Sequence, residues 1–384
     1  MEKVRLGDVC TINGGYAFKS DQFSTEGVPV IRIGNITKEG LIIDEDVCYD
    51  EKFWNENDSY RIAKNDILIA MSGATVGKSC INNTERKLLL NQRVAAINCD
   101  NNINLKYIFY SIDSEKFSKY IMTNSIGCAQ PNISLKQIAN FEISAVCLEE
   151  QNRIADELDK VTDVINKRKQ QISKLDELVK ARFVELFGDP MTNSNGYVLK
   201  KYGDLFELNA GGTPSKQKSE YWDNGTISWI GSNMCQNTVI YENDGNYITE
   251  EGLKHSSARM FPVDTVLIAL VGATIGKTAL LKFETTTNQN VLGVRGIRES
   301  GYTPEFVFYY TQGLYQKFLD IGDGGFSMAS KGFISELPVP VVDLALQEQF
   351  AAFVKQTDKS KLEIQKSLEK LELLKKALMQ KYFG

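Results

Sequence analysis

Two rhythms of apolar residues alternate along this chain, and the alternation occurs twice. Short apolar runs at residues 28–33, 67–70, 88–97 and 141–146 are separated by Gly, Asn and Asp, which predicts β-strands bounded by turns. Between the last two runs, Ile108, Phe109, Ile112 and Phe117 have helical spacing and predict a helix over 105–122. The second pass predicts strands at 227–230, 266–271, 289–297 and 337–342 and a helix over 305–319. Pro338 and Pro340 make the last run an edge strand or an extended approach to the following helix, because proline cannot donate to a central ladder.

Each pass closes in a far longer stretch. Residues 149–187 contain no Gly or Pro, and Ile154, Leu158, Val161, Ile165, Arg168, Ile172, Leu175 and Val179 step alternately by four and three. That is the seam of a heptad helix. Its counterparts 196 residues later are Phe350, Val354, Thr357, Lys361, Ile364, Leu368, Leu371 and Lys375. Polar residues weaken this second seam at Thr357, Lys361 and Lys375, where Leu374 and Leu378 are expected to keep the stripe apolar. At about 1.5 Å per residue each helix is on the order of 55 Å long. A helix this long lies on its own domain or pairs with another. The similarity of the two stripes predicts that they pair with each other, antiparallel if the globular parts occupy opposite ends. Gly188 and Gly384 stand at helix C-caps, Asp189-Pro190 prevents continuation, and 189–196 reads as a polar linker.

The offset of 196 also relates Gly7-Asp8 to Gly203-Asp204, Gln151 to Gln347 and Phe187-Gly188 to Phe383-Gly384. Gly73-Ala74-Thr75-Val76-Gly77-Lys78 matches Gly272-Ala273-Thr274-Ile275-Gly276-Lys277, and Asn91-Gln92 matches Asn288-Gln289. A period this long is a duplicated module rather than a solenoid repeat. The predicted fold class is therefore α/β (α+β): two similar mixed domains, 1–147 and 197–343, separated by long helices at 148–188 and 344–384 with a linker at 189–196. Such a pseudo-twofold internal repeat suits a target that comes in two parts.

Composition narrows the function by exclusion. The 384 residues are 42% hydrophobic and 24% charged, a globular balance, and no apolar stretch reaches the roughly 20 residues of a membrane helix. The first residues read as domain sequence rather than a signal peptide, and the seven cysteines lack Cys-x-x-Cys spacing, so free thiols in a reducing cytoplasm are expected. His255 is the single histidine, which leaves no zinc cluster and no histidine base common to both halves. A net charge of −5 does not suggest a nucleic-acid binder. Charge is uneven, however. Residues 149–187 carry eight basic against nine acidic side chains and 347–383 carry eight against five, so the globular parts hold most of the negative balance.

The Gly-Ala-Thr-x-Gly-Lys string has three residues between its glycines where a phosphate-binding Walker loop has four. It reads as a tight turn presenting Lys78 or Lys277, either solvated or placed against a phosphate. The Asn-Gln pairs open the next strand and suit either a turn bond or an adenine edge, the structural role being favoured. The Gly-Gly turns at 13–20 and 209–218, and the loops 125–132 and 322–331, differ between the halves while the scaffold repeats. No Asn/Asp-Pro-Pro-aromatic methyltransferase motif, helicase loop or carboxylate-lysine nuclease cluster is evident.

Taken together, these residues resemble the specificity subunits of type I restriction–modification enzymes. The marks are the Gly-Asp near each start, the Gly-Gly turn, Ile-Gly before Asn35 and Asn233, the Gly-Ala-Thr-x-Gly-Lys turn and Asn-Gln. They continue with Leu-x-x-Gln from Leu148 to Gln151 and from Leu344 to Gln347, and with a long helix closing at Phe-Gly. The resemblance covers essentially the whole chain. It implies two target-recognition domains that each read half of a bipartite double-stranded DNA site. It also implies an antiparallel coiled coil that sets the spacer and docks two methyltransferase subunits. S-adenosylmethionine, ATP and Mg would act on the methyltransferase and restriction subunits, with no catalytic, cofactor or metal residues in this chain. Loop position then nominates Lys19, Ser20, Lys78, Gln130, Asn132, Lys216, Lys218, Lys277, Ser327 and Lys331 as DNA contacts. A self-contained methyltransferase or nuclease is the alternative, and a coiled-coil adaptor without DNA contact is a third reading.

Overall fold

The computed structural model describes residues 2–99, 102–124, 131–321 and 328–384. The chain forms two compact units, Met1–Lys169 with Lys366–Gly384, and Gln170–Gln365. The division cuts both long helices, α1 (Leu148–Phe187) and α2 (Leu344–Phe383), so each unit contains the start of one and the end of the other.

In the first unit an antiparallel sheet is built from β1 (Cys10–Gly14), β2 (Ile67–Ala70), β3 (Ser79–Ile81) and β4 (Val94–Cys99), in the spatial order β1-β4-β2-β3. Both faces are covered. Ile67, Ile69, Ala95 and Ile97 pack with Tyr107, Ile108 and Phe117 of the following helices, while Leu68, Ala70, Val94 and Ala96 pack with Ile31 and Leu90. That is why the strands read as continuous apolar runs rather than alternating ones. The run predicted over 88–97 is two strands. Leu89–Leu90 pairs parallel with Val28–Ile31, and a turn at residues 91–93 separates it from β4. Asn91 makes that turn: its Oδ1 accepts from the Arg93 amide (3.2 Å) and its carbonyl from the Val94 amide (2.9 Å). The helix predicted over 105–122 is likewise two, Leu105–Ile112 and Glu115–Asn124. The Ser114 hydroxyl accepts from the Phe117 amide (3.2 Å) and restarts the chain at a new angle.

The second unit repeats the scheme with β5 (Glu207–Ala210), β6 (Thr238–Ile240), β7 (Val266–Ala269), β8 (Thr278–Leu281) and β9 (Val291–Arg295), in the order β5-β9-β7-β8-β6, the last strand being parallel. The helix predicted over 305–319 breaks at Leu314 into Pro304–Gly313 and Tyr315–Leu319. Pro338–Pro340 pairs with Leu199–Lys201 in a two-stranded ribbon, the edge position expected of its prolines. The segment 189–196 is a tied loop rather than a loose tether. Ser194 Oγ accepts from the Asp189 amide (2.9 Å), Asp189 Oδ1 from the Met191 amide (2.8 Å), and Asn193 donates to the Tyr197 carbonyl (2.9 Å). Gly188 ends α1 with φ +77°, as a C-cap glycine does.

The long helices pair within each unit. In the first, Tyr382 donates to Glu157 (2.7 Å) and Lys169 bridges Glu372 (3.4 Å); in the second, Lys361 bridges Asp176 (2.5 Å) and the Phe183 and Phe350 rings lie 5.3 Å apart. Rising numbers on one helix meet falling numbers on the other, so the pairing is antiparallel. Of the predicted seam, Ile154, Leu158, Ile165, Val179, Phe350, Val354 and Leu368 are buried, and Val161, Ile172, Leu175, Ile364 and Leu371 are half-buried. The polar interruptions are not bypassed by Leu374, which is exposed. Thr357 is buried with its hydroxyl donating to the Phe353 carbonyl (2.9 Å), Lys361 is held by Asp176 and Asp358, and Lys375 lies over the Tyr110 ring (5.8 Å). Leu378 does join the core.

The Leu-x-x-Gln marks fasten helix to domain. Gln151 accepts from the Asn104 amide (2.9 Å) and donates to the Val146 carbonyl (2.9 Å); Gln347 does the same with Thr303 (3.0 Å) and Val342 (3.0 Å). Phe383 closes α2 against Tyr107 of the first unit, and Phe187 closes α1 against Phe306 of the second. Full burial of such a ring contributes about 1.5–3 kcal/mol.

Candidate nucleic-acid interface

In each unit the repeated motifs meet at one end of the sheet. In the first, Gly14 pairs with Ala95, Ala70 with Val94 and Ile69 with Ser79. This places the ends of β1 and β2 beside the starts of β3 and β4. The matching end of the second sheet is set by Ala210 with Leu292, Ala269 with Val291 and Ile268 with Thr278.

Three turns and one returning segment form that end. The glycine turn leaves β1 or β5 and lies on the Asn-Gln turn. Tyr16 N donates to the Leu90 carbonyl (2.8 Å), and Gly212 N to that of Thr287 (2.8 Å). A Cβ at Gly15 would stand 2.2 Å from the Leu90 and Asn91 carbonyls, and one at Gly211 2.0 Å from Thr287 Oγ1, so only glycine permits the approach. The structural partners are therefore Gly15 with Gly211 and Tyr16 with Gly212, one residue out of step with a simple pairing of the two Gly-Gly strings.

The Gly-Ala-Thr-x-Gly-Lys turn joins two antiparallel strands in both units. Gly77 N donates to the Ala70 carbonyl (2.8 Å) and Lys78 N to that of Thr75 (2.9 Å); Gly276 and Lys277 repeat both bonds at 2.9 Å. A strand follows the lysine where a Walker loop has a helix, so the tight turn closes a hairpin and no helix N-terminus follows it for a nucleotide phosphate. The returning segment runs alongside: Ile133 N donates to the Met71 carbonyl (2.9 Å) and Ala329 N to that of Leu270 (2.8 Å).

The Asn-Gln pairs divide between two roles. Asn91 and Asn288 are half-buried, and each accepts from the backbone two residues on (3.2 and 3.0 Å). Gln92 and Gln289 are exposed, and Gln289 bonds the Thr213 hydroxyl (2.5 Å). The nominated contacts behave unequally. Lys19, Ser20, Lys78, Asn132, Lys216 and Lys331 are exposed, Lys331 as the first residue of a short helix capped by Ser330. Lys277 donates to Gln236 (3.0 Å). Lys218 is engaged by the Tyr221 hydroxyl (2.8 Å), a bond that raises its pKa, and by Glu220 (3.8 Å). Gln130 and Ser327 lie outside the described residues. Sequence reasoning missed Arg93, exposed directly after Asn91-Gln92, and Arg259, whose guanidinium donates to Asn209 (3.0 Å). It also missed Tyr16, packed on Phe18, Phe53 and Tyr60 beside the glycine turn.

Among the described residues Lys19, Lys78, Arg93, Lys216 and Lys331 have no carboxylate partner. Some cations elsewhere on the domains are paired, as Lys64 is with Glu85 and Arg86 with Glu45, while others, such as Lys200 and Lys254, are exposed without a carboxylate partner among the described residues. A chain of net charge −5 can thus present local unneutralised cations. Burial pushes the Cys80 and Cys235 thiols up to about 12, which keeps them protonated, and His255 is exposed beside Glu251 (3.0 Å). Among the described residues no group of His, Cys, Asp and Glu is placed to hold a metal ion, and no helix is long and apolar enough to cross a membrane.

Comparison with known proteins bears on the same geometry. The family model of the type I restriction modification DNA specificity domain matches twice, over residues 1–175 and 195–375. The EcoR124I/EcoR124II specificity subunit of Escherichia coli is 36% identical over 98 residues, 25% of this chain and 24% of that protein. The MjaIX specificity subunit of Methanocaldococcus jannaschii is 31% identical over 183 residues, 46% of this chain and 41% of that one. The chain thus spans from about a quarter to under half of the curated relatives it matches. The crystal structure of the type I restriction-modification S subunit from M. genitalium superposes with a TM-score of 0.58 at 16% identity, covering 100% of this chain and 96% of that one, a likeness of fold.

Proposed function

This chain belongs to the family of type I restriction modification DNA specificity proteins, and from that premise we propose that it is the non-catalytic subunit that reads DNA for such a complex. Each unit reads one half of a bipartite duplex target with the loop end of its sheet. The observation that carries this reading is the duplicated sheet end, where the same three turns and returning segment meet in both units around lysines and an arginine without carboxylate partners. Cations free of internal partners suit phosphates, and exposed amide and guanidinium side chains between them suit base edges. The antiparallel helices set the spacing between half-sites and dock two methyltransferase subunits. S-adenosylmethionine is bound by those subunits, and ATP and Mg by the restriction machinery. DNA affinity comes from few, local phosphate contacts, with partner subunits completing the clamp.

The test is a domain exchange. Residues 1–145 are replaced by the corresponding part of another family member, the chain is co-expressed with its methyltransferase subunit, and the methylated motif is read genome-wide. One half-site is expected to change and the other to stay. A change in both, or methylation of DNA by the purified chain without a partner, overturns the reading.

A further inference from the structure

The clearest difference between the two sheet ends falls inside an otherwise duplicated frame. Arg93 and Asn290 occupy the same backbone seat. The amide of each donates to Oδ1 of the Asn two residues before it (3.2 and 3.0 Å), and the carbonyl of each accepts from Met71 or Leu270 (2.9 and 2.8 Å). The seat is pinned on both sides, between the glycine turn and the Gly-Ala-Thr-x-Gly-Lys turn. Asn and Gln precede it in both units; only the third residue changes. The Arg93 side chain is exposed and, among the described residues, has no carboxylate partner; Asn290 is half-exposed.

Residues that repeat, such as Lys78 and Lys277, suit contacts that both half-sites share, above all phosphates. Telling two half-sites apart requires side chains that differ at an equivalent, rigid position. Arginine pairs in two-pronged fashion with the major-groove edge of guanine, and asparagine with that of adenine. From this juxtaposition, and resting on the DNA-reading function above, we infer that the seat is a base-reading position. Arg93 takes a guanine in one half-site and Asn290 an adenine in the other.

The test uses the chain co-expressed with the methyltransferase subunit of its own system. The readouts are the methylated motif and the affinity of the purified complex for duplexes varied at each position. Arg93→Ala is expected to relax one guanine position by about 10- to 100-fold in discrimination and to leave the other half-site unchanged. Asn290→Arg is expected to move one position of the other half-site from adenine to guanine. Should Arg93→Ala abolish methylation, duplex binding reads the same position directly. An unchanged preference at every position overturns the inference, as does a loss spread evenly over all duplexes, which assigns Arg93 to phosphate. A wild-type complex that recognises no bipartite motif overturns the DNA-reading function itself, and this inference with it.

Discussion

Gly276 shows how much a single atom decides at the sheet end. It holds φ +73°, and a Cβ there would stand 2.5 Å from the Phe318 ring; Gly272, four residues earlier, holds φ +68° with open space around it. Gly276→Ala combines backbone strain with overpacking and is expected to cost about 2–4 kcal/mol, against about 1 kcal/mol for Gly272→Ala. Urea unfolding of the two variants checks the difference, and equal losses would refute the packing role given to Gly276. The Asn-Gln pair is a second lesson at this scale. The dipeptide alone favours the turn bond but does not assign it to one residue, because either amide can make it or reach a base edge. Only the turn geometry assigns the bond to Asn91 and Asn288 and leaves Gln92 and Gln289 outside.

Among the elements, the helix pair is where local pattern and tertiary choice part. Heptad spacing identified both stripes, yet a stripe is scored by apolarity, so Leu374 looked better placed than Lys375. In the folded pair Lys375 has the Tyr110 ring beside it, and Lys361 sits between Asp176 and Asp358. Burial raises the Asp358 pKa while Lys361 pulls it down. Lys361→Ala is expected to cost about 1–2 kcal/mol at pH 7, between an exposed and a buried pair. An acid with a raised folded-state pKa binds more protons when folded than when unfolded, so its protonation restores stability as pH falls. The deficit of the variant should therefore shrink between pH 7 and about 4. A deficit independent of pH in thermal melts would assign the loss to packing alone.

For the whole molecule the helices carry the functional prediction. One extra heptad in both α1 and α2 lengthens each by about 10 Å, roughly the rise of three base pairs. The spacer of the methylated motif is expected to grow accordingly, and an unchanged spacer would remove the proposed ruler. The duplication, the hairpin at Gly-Ala-Thr-x-Gly-Lys and the two long helices were all legible in the chain itself. Each is written in residues close together in sequence, where glycine placement and side-chain period act locally. Three features were decided only by tertiary structure. The turns of β1 and β4, some eighty residues apart, share one sheet end, and Phe187 closes on Phe306 and Phe383 on Tyr107, so that each helix finishes in the unit it did not start from. The cations left without partners became visible only once their neighbours were known. Local rules set what an element is; which elements meet depends on burial and pairing between distant residues, and no short-range pattern encodes that.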